Sequence, residues 1–367
     1  MKIAYVVEPR KVIGGGVRAA MNLSKSMKNL YKAMTVIFGV YENTVEDKAV
    51  DFYTVNTLKP MSFFYWRQYH CFVKGYKPDI VHCLGLYTAL VCLLHKKITH
   101  SDYAIVCTVH RVTMNMRYVS LIKYVVSYIA RNLDYTTFLT EYQKEHYFKN
   151  VGFCPNKFVI VPNVIFVQNV SEEEKRQKRI ELANELNAEF LTSYVGRIIP
   201  SKNIEDTIRI TAMVNECGLN LGCVLVGGSE REYYEKLQAL IEELNIGNKV
   251  KFVGYVNTPS LYTGATDFTI TTTTHGEALP NLLIESYALE KVTFSSDIPQ
   301  MVNLIDHETN GYTLSLKDLN MFINKIRIFC TDEELRKRME NAALDTYKRL
   351  YSPEYVTSIY NHVYQSI

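Results

Sequence analysis

Two glutamates, Glu277 and Glu285, flank the seven residues ALPNLLI. A loop followed by a helix here would put one carboxylate in the loop and the other about a turn and a half into the helix, where the pair can grip opposite ends of one ligand. Farther up the chain, Arg197 and Lys202 bracket IIPS. A guanidinium supplies a fork for two oxygens and an ammonium a compact point charge, a combination that suits a diphosphate. His110 closes the apolar run YAIVCTV, and the carboxyl end of a parallel strand is where α/β sites gather their ligands. Each residue also has a bland reading, as a solvated acid, a surface cation or a satisfied core histidine. The elements around them decide between the two.

Asp267-Phe268-Thr269-Ile270, followed by the four threonines Thr271 to Thr274, predicts a buried strand of χ1-stiff residues that stops at Gly276. Pro280 suits the first turn of a helix, and Leu282, Leu283, Ser286 and Leu289 recur at helical spacing. Such a junction leaves the N–H groups of Asn281 and Leu282 aimed above the strand end, with the positive end of the helix dipole behind them, which invites a phosphate. Residues 190–203 repeat the order, with a turn at Gly196 and a helix opening after Lys202. Residues 2–7 predict a buried strand leading to Gly14, Gly15 and Gly16 at the mouth of a helix marked by Val17, Ala20, Met21, Leu23 and Met27. Glycines there permit positive φ and let a ligand approach bare backbone. Further strands are expected at 221–228, at 250–255 ending in Tyr255, and at 292–297; the charged run 171–189 reads as a solvated helix capped by Ser171.

A chain of 367 residues exceeds what one hydrophobic core serves, so two domains are expected. No apolar run is long enough for a signal peptide or a membrane span, and the expectation is a cytoplasmic protein. Eight cysteines without a C-x-x-C pair sit mostly inside apolar runs, which reads as reduced core thiols rather than a disulfide framework or a zinc site. Charge is divided unevenly: residues 1–165 hold 21 Lys and Arg against 10 Asp and Glu, and the remainder 20 against 28. A basic first half points to an anionic partner there. No nucleic-acid module is present in the sequence, so no nucleic-acid partner is expected.

The stretch EALPNLLIE resembles the E-x7-E motif of the retaining glycosyltransferases of the GT-B fold, glycosyltransferase family 4. Four further segments resemble the family in the same order: the glycine loop after the first strand, PDIVH at 78–82, VIVPN at 159–163, and GRIIPSK at 196–202, with the Asn310-Gly311 turn beyond them. The chain departs from the family at Arg111, where an acid is usual, at Val164, where glycine is usual, and at Ile298-Pro299-Gln300-Met301, where glycines and a glutamate are usual. The resemblance implies an α/β GT-B fold, two doubly wound Rossmann-like domains facing across a cleft. An N-terminal acceptor-binding domain would cover 1–166, with the C-terminal helix 351–367 packing back onto it, and a C-terminal nucleotide-sugar-binding domain would cover 167–350. It further implies that Glu277 faces the donor sugar, that Glu285 holds the ribose hydroxyls, and that the helix start at Pro280, Asn281 and Leu282 binds the diphosphate together with Gly15, Gly16 and Gly196. Arg197 and Lys202 would stabilise the leaving diphosphate, His110 would contact the sugar hydroxyls, and Tyr255 would stand where the base binds; His82 reads as structural.

The implied activity is retaining transfer of a sugar from a nucleotide-diphosphate donor, a UDP-sugar favoured, to a hydroxyl of a glycan or lipid-linked glycan in bacterial cell-surface polysaccharide synthesis. No D-x-D sequence occurs, so cations stand in for a metal and no cofactor is expected. Two rivals keep the same ligand, a catalytically inactive partner subunit and a GT-B nucleotide-sugar epimerase. On the acceptor side, Arg111 and two basic aromatic stretches suggest peripheral contact with the anionic inner face of the cell membrane. One stretch is 59–77, with Trp66 and Arg67. The other is 114–133, where Tyr118, Leu121, Ile122, Val125 and Ile129 form one face, Arg117 lies on another and Lys123 stands at the edge. Both also read as crossover helices packed on a sheet.

Overall fold

The computed structural model describes residues 1–7, 15–38, 50–55, 63–110, 119–275 and 278–367. They form two compact units, Met1–Phe166 with Tyr351–Ile367, and Val167–Leu350. The first unit runs β1 (Lys2–Val7), α1 (Gly15–Met27), β2 (Lys32–Phe38), β3 (Phe52–Val55), α2 (Phe63–Tyr76), β4 (Ile80–Leu84), α3 (Leu86–Thr99), β5 (Ala104–Val109), α4 (Val119–Asn132), β6 (Tyr135–Phe138), α5 (Glu141–His146) and β7 (Phe158–Ile160). The second runs α6 (Glu172–Glu185), β8 (Phe190–Val195), α7 (Ile204–Glu216), β9 (Leu221–Val226), α8 (Arg231–Glu243), β10 (Val250–Gly254), α9 (Pro259–Ala265), β11 (Phe268–Thr271), α10 (Asn281–Ala288), β12 (Val292–Ser296), α11 (Pro299–Val302), β13 (Gly311–Leu314), α12 (Asn320–Thr331) and α13 (Glu333–Thr346); α14 (Pro353–Gln365) returns to the first.

Both sheets are parallel, ordered β3-β2-β1-β4-β5-β6-β7 and β10-β9-β8-β11-β12-β13. Sheets covered on both faces demand strands apolar on both sides, which is why KIAYVV, IVHCL and LGCVLV read as unbroken buried runs. Strand order reverses between β1 and β4 in the first sheet and between β8 and β11 in the second. Those are the switch points at which an open α/β sheet leaves a crevice at its carboxyl edge.

In the first unit, α14 lays Val356, Tyr360, Val363 and Tyr364 against Ile3, Tyr5, Val17 and Ala20. The contact carries a buried polar network. His82 on β4 is fully buried, its Nδ1 bonded to the Tyr364 hydroxyl (2.6 Å) and its Nε2 to the Thr108 hydroxyl (2.7 Å), and Thr108 bonds Thr137 (2.6 Å). Burial, and then the nearby His110, push the His82 pKa down to about 3, so the ring stays neutral and serves as a structural pin. Val164, where the resemblance expects glycine, is a core residue without positive φ; its carbonyl accepts from Asn22 (2.9 Å).

Several expectations are corrected. On α2 the rings of Tyr65, Tyr69 and Phe72 are core, and Trp66 stacks on His95 at 6.3 Å, so these rings cover the sheet while Arg67, His70 and Lys74 are exposed. On α4 the buried face is Val126, Ile129, Ala130 and Leu133, whereas Val125, expected on the apolar face, is exposed beside Lys123 and Tyr124, the last 78 % exposed. Gly15 and Gly16 lie inside the first turn of α1, and Gly16 takes no positive φ. The threonine strand ends at Thr271, because Thr272 donates its hydroxyl to the Asn203 carbonyl (2.6 Å) and the Thr273 carbonyl accepts from Ser296 (2.5 Å), contacts that leave the ladder. Pro280 caps α10 instead of occupying its first turn. Ser171 heads α6 with a full capping box. Five cysteines are buried; Cys71, Cys154 and Cys217 are exposed.

Candidate active site

The second sheet's switch point lies between β8 and β11; the loop leaving β8 carries the predicted cations, and the chain after β11 leads into α10, which carries Glu285. After β8 the chain passes Gly196 and Arg197, makes a single 3-10 turn over Pro200–Lys202, and enters α7. Tyr194, buried beneath this turn, donates its hydroxyl to the Arg197 carbonyl (3.1 Å). Arg197 is exposed and Lys202 is 7 % exposed. The loop after β11 is bonded to this turn: Thr272 reaches the Asn203 carbonyl as above, the Thr272 and Thr207 hydroxyls pair (2.9 Å), and the Thr274 N–H donates to the Ser201 carbonyl (3.4 Å). The stretch bearing Lys202 is therefore bonded directly to the segment that leaves β11.

Helix α10 follows that segment. Pro280 offers no N–H and no capping side chain, and among the described residues nothing bonds the amides of Asn281 and Leu282, which have the dipole's positive end behind them. Asn281 is exposed, Leu282 is core, and Glu285 is half-buried one turn on. The helix is held on its far side. Ser286 bonds the Thr269 hydroxyl (2.9 Å), which also pairs with Thr293 (2.9 Å), and Tyr287 donates to Asn310 (2.8 Å). Asn310 accepts the Asp306 N–H too (2.9 Å), which accounts for an asparagine at the predicted Asn310-Gly311 turn.

Beside the switch point, the ends of β9 and β10 open a pocket of about 310 Å³ lined by Gly227, Gly228, Ser229, Arg231, Tyr234, Phe252 and Gly254. Its floor is a series of glycine exits: the Gly196 N–H donates to Val226 (2.9 Å) and the Gly227 N–H to Gly254 (2.9 Å). Gly227 is obligatory, since its φ is 146° and a Cβ there would stand 1.8 Å from the Gly196 carbonyl oxygen. Tyr234 and Phe252 meet edge to face at 4.9 Å. Bare backbone with two rings suits the flat face and polar edge of a nucleoside. Sequence reasoning found the glycine exit and the β10 end but not Arg231, Tyr234 or Phe252. Their signal, a helix starting just past two glycines, was present in GGSEREYY.

Tyr255, 70 % exposed, follows this pocket-lining strand. Gly196, Arg197, Lys202, Tyr255, Pro280, Asn281, Leu282 and Glu285 thus all belong to the carboxyl edge of the second sheet. Gly15, Gly16, His110, Trp66, Arg67 and Lys123 belong to the first unit. There His110 is half-buried at the end of β5, and the glycines follow β1, with β4 between the two strands. Glu277, Arg111 and Arg117 lie outside the described residues. Among the described residues no three His, Cys, Asp or Glu side chains are grouped to hold a metal ion, and no helix is long and apolar enough to cross a membrane.

Comparison with known proteins bears on the family and the fold. The chain aligns with the Staphylococcus aureus capsular polysaccharide biosynthesis glycosyltransferase CapM at 25% identity over 223 residues, 58% of this chain and 56% of that protein. It aligns at 28% over 222 residues with a Campylobacter jejuni N-acetylgalactosaminyltransferase acting on a diphospho-undecaprenol-linked sugar, 60% of this chain and 57% of that one. The chain spans about half the length of these relatives. In structure, Anabaena HepE in complex with UDP superposes with a TM-score of 0.86 at 16% identity over 100% of both chains, and the shared fold is GT-B. The Glycosyltransferase Family 4 model matches residues 13–168, and the model for glycosyl transferases group 1 matches residues 163–346, half of the chain. The chain belongs to the glycosyl transferases group 1 family.

Proposed function

We propose that the protein is a retaining glycosyltransferase that moves a sugar from a UDP-sugar to a hydroxyl of a glycan or lipid-linked glycan in bacterial cell-surface polysaccharide synthesis. One observation carries the reading: the cation turn after β8, the uncapped start of α10 and the nucleoside-sized pocket share one sheet edge. A base in the pocket would leave its diphosphate among Arg197, Lys202 and the amides of Asn281 and Leu282. Glu285 would take the ribose hydroxyls and Tyr255 would flank the base. Glu277 would face the sugar by its place in the motif. The complex of Anabaena HepE with UDP favours uridine here.

In the proposed reaction, the bond from the anomeric carbon to the diphosphate oxygen breaks and a bond to the acceptor oxygen forms on the same face. The acceptor's proton passes to the departing phosphate oxygen. Negative charge grows on the diphosphate, and fixed cations and helix amides stabilise it most where they already point. This route needs no metal. On the acceptor side, the exposed Lys123 and Tyr124 of α4, with Arg67, Arg111 and Arg117, fit an anionic, membrane-borne acceptor; flotation on anionic but not neutral liposomes is the expected behaviour.

The deciding experiment is a panel of nucleotide sugars with lipid-linked and free glycan acceptors, run with and without a chelator. The expected result is chelator-insensitive turnover of a UDP-sugar, with proton NMR showing a product of the donor's own anomeric configuration. An inverted product would exclude the mechanism, and binding without turnover across the panel would favour the inactive-subunit rival.

A further inference from the structure

Helix α7 starts without a cap of its own. Asn203, at its head, sits in the left-handed region (φ 51°, ψ 51°), and its side chain donates to Asp206 (2.7 Å). The N–H of Ile204, first residue of the helix, is satisfied from α8, by the Tyr233 hydroxyl (3.2 Å). That hydroxyl donates to Glu205, whose other oxygen accepts from Lys236 (2.8 Å). Tyr233 is 5 % exposed and Glu205 9 %. Burial works against ionisation of Glu205, but the bonds from Lys236 and Tyr233 outweigh it and hold the carboxyl below its ordinary range. Burial, then the bond to Glu205, push the Tyr233 pKa up, so the hydroxyl keeps the proton it donates.

The place of this joint matters. Helix α8 lines the pocket with Arg231 and Tyr234, the latter next in sequence to Tyr233, and α7 begins two residues after Lys202. One hydroxyl therefore fastens the wall of the pocket to the segment that ends in the buried lysine. We propose that Tyr233 is a positioning residue that couples the pocket to Lys202, so that a nucleoside seated in the pocket sets the lysine against the diphosphate. This rests on the reading of Lys202 as a diphosphate-binding cation.

Tyr233→Phe keeps the ring and removes the joint. Turnover with the donor selected by the panel should fall about tenfold, roughly one buried hydrogen bond expressed as rate. UDP affinity by titration calorimetry should stay within about twofold, since the pocket's own lining is untouched. In a Lys202→Ala background the same substitution should cost nothing further, because the residue it acts through is gone. Lys236→Met, which leaves the bond to Ile204 in place, should keep turnover within about twofold, as expected for a largely exposed partner. Thermal unfolding of each variant confirms a folded enzyme. Three results would overturn the coupling and leave the proposed function standing: unchanged turnover in Tyr233→Phe, a full tenfold loss added on top of Lys202→Ala, or an equal loss in Lys236→Met. Wild-type turnover in Lys202→Ala would instead overturn the diphosphate reading, and the coupling with it.

Discussion

The two sheets share one architecture, and both fasten helices with buried polar side chains; they differ in what stands at the strand ends beside a pocket. In the first unit, His82, Thr108, Thr137, Tyr360 and Tyr364 bond one another inside the layer between sheet and α14, and every one is buried. In the second, the strand ends are Gly196, Gly227 and Gly254, and the polar groups on offer are backbone amides beside a pocket. Side chains spent on fastening a helix are unavailable to a ligand. Glycine, with nothing to fasten, turns the main chain itself into the binding surface.

The comparison breaks first at Gly227. Gly227→Ala places a methyl 1.8 Å from the Gly196 carbonyl at a φ of 146°, so we expect a loss of about 3 kcal/mol or more in urea unfolding together with loss of UDP binding. Wild-type stability would show that the exits are not tightly nested. Next in size, Arg197→Ala and Lys202→Ala should each cut turnover by about 10²–10³ while the unfolding midpoint moves little, as for removed transition-state donors. Near-normal turnover in both would remove the edge's chemical role.

The first unit's network is tested by acid. Folded His82 has a pKa of about 3 against an ordinary 6.5, so between those values the unfolded chain binds the extra proton. Stability from this group is complete above about pH 6.5 and drains as pH falls, by about 2 kcal/mol at pH 5. Denaturant unfolding at pH 7.5 and pH 5 should show a steeper loss in the native protein than in His82→Gln; equal slopes count against the pin. The smallest effect is at Gly16, where a Cβ would meet nothing within 4 Å. Gly16→Ala should stabilise α1 by about 0.5–1 kcal/mol, and if a ligand approaches that backbone, turnover should drop in the same variant. Unchanged turnover would confine the glycine surface to the second unit.

Much of the fold could be read in advance, because parallel strands announce themselves as continuous apolar runs between glycine and proline breaks. Buried β1, β4 and β9 are of this kind. What periodicity cannot say is which apolar surface a stripe will meet. Trp66, Tyr69 and Phe72 with their basic neighbours look alike whether they face lipid or a sheet, and they face the sheet. Strand ends were misplaced where side chains left the ladder for loop carbonyls, as at Thr272. The site was legible where spacing along the chain reflects a single local unit, as with Pro280 through Glu285. It was not legible where the unit is assembled from strands and helices distant in sequence, as with Tyr234 beside Phe252, or Tyr233 beneath Ile204.

The return of α14 also has a temporal meaning. Translation delivers residues 1–166 first, yet Tyr5, His82 and Thr108 receive Tyr360 and Tyr364 only after all of 167–350 has emerged. The second unit is sequence-continuous and can close as soon as its own residues have emerged. The first must wait with one apolar face open, so the unit synthesised first is finished last, and its exposed face over that interval is where a chaperone would be needed.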